Sequence, residues 1–221
     1  MVDADSITGQ SLSSLCSFYR CLSCNTVDND RNRLKVGYPC PRCGKPGEGA
    51  ESYFPITALA LVDLIQGFFH LKGSSTTRFP LCDPEANSRL ATVIFFCSLG
   101  EVLLTHLLKE IMVKQGLAKK LQERLLSDNR SIQLRVEKLY PALTNHKWKD
   151  DLERLSKGKH LNRLDTHNLF LRVAKYRNGW LHEGRQWDIP SELPRQCVQS
   201  IWPLLCLFVA FHNEHAAYDY Q

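Results

Sequence analysis

Val93-Ile94-Phe95-Phe96-Cys97-Ser98-Leu99-Gly100-Glu101-Val102-Leu103-Leu104-Thr105-His106-Leu107-Leu108-Lys109-Glu110-Ile111 decides the fold. Val93, Phe96, Leu99, Leu103, Leu107 and Ile111 recur at helical spacing, and Asp83-Pro84 ahead of them is a cap followed by proline, the signature of a helix start. The pattern runs on towards Gly116, which makes this the longest element. Leu90 to Leu108 is greasy enough to be tested as a membrane span. Glu101, Ser98 and His106 inside it would be costly in lipid, so it reads as the core helix of a soluble bundle. Cys197 to Phe211 is also apolar, but it is too short and contains Pro203.

Outward from this helix the pattern stays helical. Upstream, Pro55 is placed as a first helical residue, with Ile56, Leu59, Val62, Ile65 and Phe69 behind it and Gly73-Ser74-Ser75 closing the helix. Downstream, helices are expected over Lys119 to Leu126, Ile132 to Leu139 and Trp148 to Leu155, separated by Asp128-Asn129, Pro141 and Gly158. Another starts near Asp165 and ends near Gly184. The last runs from about Pro190 to Ala217, with Pro203 kinking or restarting it. No strand pattern competes after residue 55, and no repeat is present. Residues 55–221 are therefore expected to form one helical bundle.

The N-terminal quarter differs. Cys21-Leu22-Ser23-Cys24 and Cys40-Pro41-Arg42-Cys43 are two C-x-x-C pairs set apart by a polar stretch of the length found in zinc ribbons. Zn²⁺ takes four thiolates in a tetrahedron, and each pair supplies two from a tight turn eased by Pro41 and Gly44. A small β-rich unit is expected over residues 16–47, with Cys16 a spare and residues 48–54 a linker. Four thiolates fill the coordination sphere, so one structural zinc ion is expected and no catalytic metal. Paired disulfides are the competing reading. Met1-Val2-Asp3-Ala4-Asp5 lacks the basic start and apolar run of an export signal, which favours a reduced, cytoplasmic chain with no membrane partner.

A hydrophobic share of 43% and a charged share of 23% are ordinary for a folded chain and exclude default disorder. The net charge of +5 is unevenly placed. Val102 to Arg177 carries 17 Lys+Arg against 8 Asp+Glu, a surplus of nine, while the remainder carries 11 against 15. Such a basic middle suits a polyanion such as nucleic acid; a solvated lysine-rich surface would look the same. Arg20, Arg31, Arg33, Lys35, Arg42 and Lys45 add cations around the cysteines.

Within this frame stands Arg177-Asn178-Gly179-Trp180-Leu181-His182, at the polar end of an apolar helix and followed by another. An arginine can neutralise a phosphate and a histidine can move a proton. An all-α body with Arg, Asn directly after it, and His a few residues on resembles the HEPN family of RNA-cleaving and RNA-binding helical domains, over about residues 83–217. Arg154 and His160 match the loose spacing too. They lack the Asn, and Lys157-Gly158-Lys159 breaks the helix between them.

The resemblance implies a metal-independent endoribonuclease, with His182 as the proton carrier, Arg177 stabilising phosphate charge and Asn178 holding phosphate or histidine. It implies 2′,3′-cyclic phosphate and 5′-hydroxyl ends. Glu101 is the candidate acidic support, in need of Arg177 or His182 as partner. Arg172, Lys175, Tyr176 and Trp180 are the candidate RNA-binding residues, the aromatics by stacking. On an ideal helix Arg177 and His182 lie about 140° apart, so they share a target only if the helix breaks at Gly179 or Gly184, or if two chains pair. The family favours the two-fold homodimer, with Trp180, Leu181 and Trp187 as part of the contact. It also suggests a toxin or antiphage setting, with an antitoxin or other regulatory protein as partner. A non-catalytic RNA- or protein-binding module, and a zinc-ribbon adaptor or transcription-associated factor, are the competing functions.

Overall fold

The computed structural model describes residues 17–30, 32, 37–46, 50–70, 84–156, 163–183 and 189–218. Three short strands come first: β1 (Tyr19–Cys21), β2 (Val27–Asp28) and β3 (Ala50–Ser52). They form one antiparallel sheet in the order β2-β1-β3, with Tyr19 opposite Asp28 on one side and Ser52 on the other. The stretch 48–54, expected as a linker, thus supplies a strand. A three-residue strand flanked on one side only would leave backbone groups unpaired, and β3 takes that edge.

The rest is helical: α1 (Ile56–His70), α2 (Pro84–Lys114), α3 (Lys119–Asp128), α4 (Ile132–Leu134), a π turn (Arg135–Leu139), α5 (Tyr140–Thr144), α6 (Trp148–Ser156), α7 (Arg163–Glu183), α8 (Leu193–Gln199) and α9 (Ile201–His215). Local chemistry sets most boundaries. The Ala58 and Leu59 N–H groups return to the Pro55 carbonyl at the start of α1. Gly116, at φ +71°, ends α2 by a left-handed step that lets the Leu117 N–H reach the Met112 carbonyl. Ser131 caps α4 through its hydroxyl, which accepts from the Leu134 N–H at 3.1 Å.

Two prolines behave differently from a simple stop. Pro141 does not end the helical run; the chain widens into the π turn, closed by the Tyr140 N–H on the Arg135 carbonyl, and Pro141 enters the first turn of α5. A π register lets the ladder pass a residue that has no N–H to give. Pro203 falls in the first turn of α9, where a missing N–H costs nothing, and the break lies earlier at Ser200. Of the two outcomes expected there, the helix restarts.

α2 is the hub, with α1, α7, α8 and α9 packed on it. Val93, Phe96, Leu99, Leu103, Leu104, Leu107, Leu108 and Ile111 are all essentially inaccessible. It is long and apolar enough to cross a bilayer, but 56% of its most apolar window is buried inside the fold, as befits a core helix. The sheet joins the same core. Phe18 stacks on Trp202 at 5.2 Å, and Tyr53 lies between the rings of His106 and His212 at 4.9 and 4.6 Å. Phe18, Val27, Tyr53 and Phe54 belong to one apolar cluster with the helices.

The α2–α7 crossing is tight at Gly100, where a β-carbon would overlap the Phe170 ring. Gly100→Ala should therefore cost about 1–3 kcal/mol through overpacking, read as a fall in melting temperature of about 2–4 °C per kcal/mol. A second prediction concerns pH. Burial pushes His167 and His212 down to about 4 from an ordinary 6.5. An unfolded chain then binds more protons than the folded one between these values, so the stabilising effect is complete above pH 6.5 and fades as pH falls towards 4. Urea melts at pH 7 and pH 5 should differ by about 1–2 kcal/mol per histidine, and His212→Gln should shrink that difference.

Candidate functional site

The four cysteines meet. Sγ of Cys21 lies 3.9 Å from Sγ of Cys43, Sγ of Cys24 lies 3.7 Å from Sγ of Cys40, and all four sulfurs lie within 4.8 Å of one another. Metal–sulfur bonds of about 2.3 Å in a tetrahedron require sulfurs about 3.8 Å apart, so the donor set fits such an ion. The two turns are built alike. Asn25 N–H returns to the Cys21 carbonyl and Gly44 N–H to the Cys40 carbonyl, at 2.9 and 2.8 Å. Cys21 N–H reaches the Thr26 carbonyl, and Cys40 N–H the Lys45 carbonyl, both at 2.9 Å. Asn25 and Gly44 both take positive φ, +58° and +69°, residue types that tolerate it. Burial pushes the Cys24 thiol up to about 12, so a cation is what would keep it a thiolate.

The first of these turns also grips the C-terminal helix. Cys24 carbonyl accepts from Tyr218 N–H at 2.9 Å, and Asn25 Nδ2 donates to the Ala216 carbonyl at 3.0 Å. His212 Nε2 and the Asn25 carbonyl are 2.7 Å apart, and Asn213 exchanges two 2.8 Å bonds with the backbone of Val27. Arg20 adds an ion pair to Glu110 of α2 at 3.0 Å.

Arg177 and His182 both lie on α7, which continues unbroken to Glu183. The helix does not break at Gly179, and Gly184 lies outside the described residues. The two side chains therefore diverge by about 140°. Arg177 turns inward, paired with Glu101, and also touches the Cys97 thiol one turn earlier on α2. Burial opposes its charge, but Cys97 and Glu101 outweigh that and raise its pKa. Arg177 is the cation that Glu101 needed. Asn178 and His182 are exposed and, four residues apart, share a face.

That face is longer than the motif. Leu164, Asn168, Leu171, Lys175, Asn178 and His182 are all exposed and spaced alternately by four and three residues. Leu164 and Leu171 are 40% and 44% exposed, apolar side chains on an outward seam. Arg172 is turned aside to Gln196 of α8, and Tyr176 is half-buried against the core. The side chains of Trp180 and Leu181, and Trp187 altogether, lie outside what is described.

One cluster has no counterpart in the sequence reading. Asp151, 1% exposed, accepts from Tyr140 Oη at 2.6 Å, Arg154 at 2.7 Å and His215 Nε2 at 2.9 Å, with His146 Nδ1 at 3.3 Å. Burial would raise its pKa; the Tyr140 and Arg154 hydrogen bonds and the two histidines hold it below the ordinary value. Arg154 also pairs with Glu214, so the arginine of the second Arg-to-His match is engaged in ion pairs, while His160 lies outside the described residues. No spacing rule links residues 140, 151 and 215.

No protein-family profile, no curated protein and no solved structure matches the chain. The four-cysteine centre is therefore the part of the site that geometry alone supports, and it yields a prediction. Because the Cys24–Asn25 turn holds the end of α9, removing the metal should destabilise the whole chain in a single transition. Metal analysis should find one ion per chain, and a chelator or Cys40→Ser should lower the one melting temperature by roughly 10 °C. Two separate transitions would show an independently folding ribbon.

Proposed function

We propose that the chain is a metal-independent RNA endonuclease of HEPN type that works as a two-fold homodimer, with a structural zinc ion in the four-cysteine centre. The observation that carries this reading is the division of labour on α7. Arg177 is held inward as a fixed cation by Glu101, while His182 and Asn178 stand free on the outer face. An arginine and a histidine about 140° apart on one helix cannot act on one phosphate, so a catalytic pair needs a second copy. The seam from Leu164 to His182, with heptad-like spacing and two exposed leucines, supports docking of a second copy beside His182, while the part of the Arg177–Glu101 pair left exposed, off the seam, is what a phosphate would reach.

In this arrangement His182 takes the proton of a ribose 2′-hydroxyl or gives one to the departing 5′-oxygen, and Arg177 offsets the charge that grows on the phosphorus oxygens. Asn178 holds the phosphate or the imidazole. Lys175, exposed near His182, supplies a phosphate contact, and Arg172 does so only by leaving Gln196. Four thiolates fill the coordination sphere of a tetrahedral ion, which fits a structural zinc. The basic surplus of the middle of the chain supports a polyanionic substrate. One observation favours a binding module instead: Arg177 is already paired, which a purely structural ion pair would also require.

The test is incubation with unstructured RNA without added metal ions. The wild type should release 5′-hydroxyl ends that a polynucleotide kinase labels directly, and a DNA strand of the same sequence should survive. His182→Ala should lose about 10²–10⁴-fold in rate while keeping its melting temperature. Arg177→Lys, which keeps the charge facing Glu101, should lose bidentate phosphate contact and most activity. RNA bound without cleavage by the wild type would leave the binding module standing.

A further inference from the structure

The outer side of α2 forms one wall of an open cleft of about 450 Å³. Ser98, Glu101, Thr105 and Lys109 line it from α2, Thr57 from the first turn of α1, and Arg135 from the π turn. Its volume is within the roughly 300–1,000 Å³ of small-molecule sites.

Arg135 is the informative wall. Its guanidinium is half-buried, yet its hydrogen bonds go to neutral acceptors, the Asn129 carbonyl at 3.0 Å and Thr105 Oγ1 at 2.8 Å. Neither Arg135 nor Lys109 has an ion pair among the described residues, while the cleft's one carboxylate, Glu101, is engaged by Arg177. Burial disfavours its charge and only the pull of Glu101, which is hydrogen-bonded to Arg177, offsets this, so its remaining N–H groups are open to an anion such as phosphate. Arg135 is the first residue of the π turn that carries the chain past Pro141.

We propose that this cleft seats one nucleotide of a bound RNA strand, its phosphate on Lys109 and Arg135. The inference rests on the RNA reading of the Arg177–His182 motif and extends it. Glu101 belongs to both places: it lines the cleft and holds Arg177, so a strand leaving the cleft over α2 arrives at the motif. Arg135 and Lys109 are then substrate-positioning residues, one helix removed from the chemistry.

A fluorescent RNA of about twelve nucleotides, fully 2′-O-methylated and so uncleavable, tests the cleft apart from the chemistry. Its anisotropy is titrated with the intact protein at salt from roughly 50 to 200 mM. Lys109→Glu and Arg135→Gln should each weaken binding several-fold and flatten the slope of log affinity against log salt by about 0.7, one lost single-strand phosphate contact. Arg135→Lys, which keeps charge but loses the fork, should fall between. Lys149→Glu, at an exposed side chain of α6 that does not line the cleft, should match the wild type. Affinities and slopes unchanged in both cleft variants would overturn the proposal. So would displacement of the strand by adenosine monophosphate at equal concentration, which would mark a free-nucleotide site. The unmodified strand separates the two readings: binding that depends on Lys109 and Arg135 without cleavage sinks the nuclease and keeps the cleft. Cleavage with binding indifferent to both residues does the reverse.

Discussion

The bundle depends on how closely α7 can approach α2, and that is set where the Phe170 ring lies against the backbone of Gly100. Interiors pack at near-crystalline density, so a missing side chain on one helix is filled by a ring from the other. The contact fixes the register between the two helices. Phe170 and Arg177 are two turns apart on α7, and Gly100 and Glu101 are neighbours on α2. Once the ring is seated on the glycine, Arg177 falls opposite Glu101 and Cys97. The ion pair is thus a consequence of packing, and the apolar contact supplies the accuracy that a partly exposed pair on long side chains would lack.

The same logic explains why the metal-binding unit is continuous with the bundle. A sheet of three strands, none longer than three residues, cannot bury a core of its own, and below about forty residues a fold normally needs a metal, a disulfide or a neighbour. Here four cysteines lie close enough to hold a metal ion, and the bundle is the neighbour. The four cysteines sit on two backbone turns, and one turn presents the Cys24 carbonyl and the Asn25 side chain to the end of α9. Phe18, Tyr53 and Phe54 then close the contact from the apolar side. Tyr53 separates His106 from His212, and burial depresses the pKa of both histidines. Neutral imidazoles are what such an interface can accommodate, which ties the join between sheet and bundle to the charge state of its core.

Much of this was legible in the chain, and the reasons differ by element. The long helix through Leu99 and Leu103 announced itself because burial on one hub imposes a period on the sequence, and Gly116 stopped it by a backbone requirement that is local. The cysteine pairs were legible because a tetrahedral ion constrains spacing. The strand at Ala50–Ser52 was not, since its reason for existing is the open edge of β1 about thirty residues earlier. The π turn was hidden in the same way: Pro141 read as a stop, and only the widened ladder before it shows how the chain passes on. Asp151 was the least visible. Its partners Tyr140, Arg154, His146 and His215 come from three helices and the loop before α6, and no period connects them.

The motif itself shows where spacing misleads. Arg177, Asn178 and His182 read as one string, but the helix distributes them over opposite sides: the arginine into the interior with Phe170 and Val173, the asparagine and histidine outward with Lys175 and Leu171. Had the helix ended at Gly179 the string would have been a local site. Because it continues, adjacency in sequence becomes separation in space, and the residues near one another on the surface are those at intervals of three and four. A functional unit made from this motif would therefore have to be assembled from surfaces, as the proposed pairing of two copies and the proposed strand path past Glu101 both do.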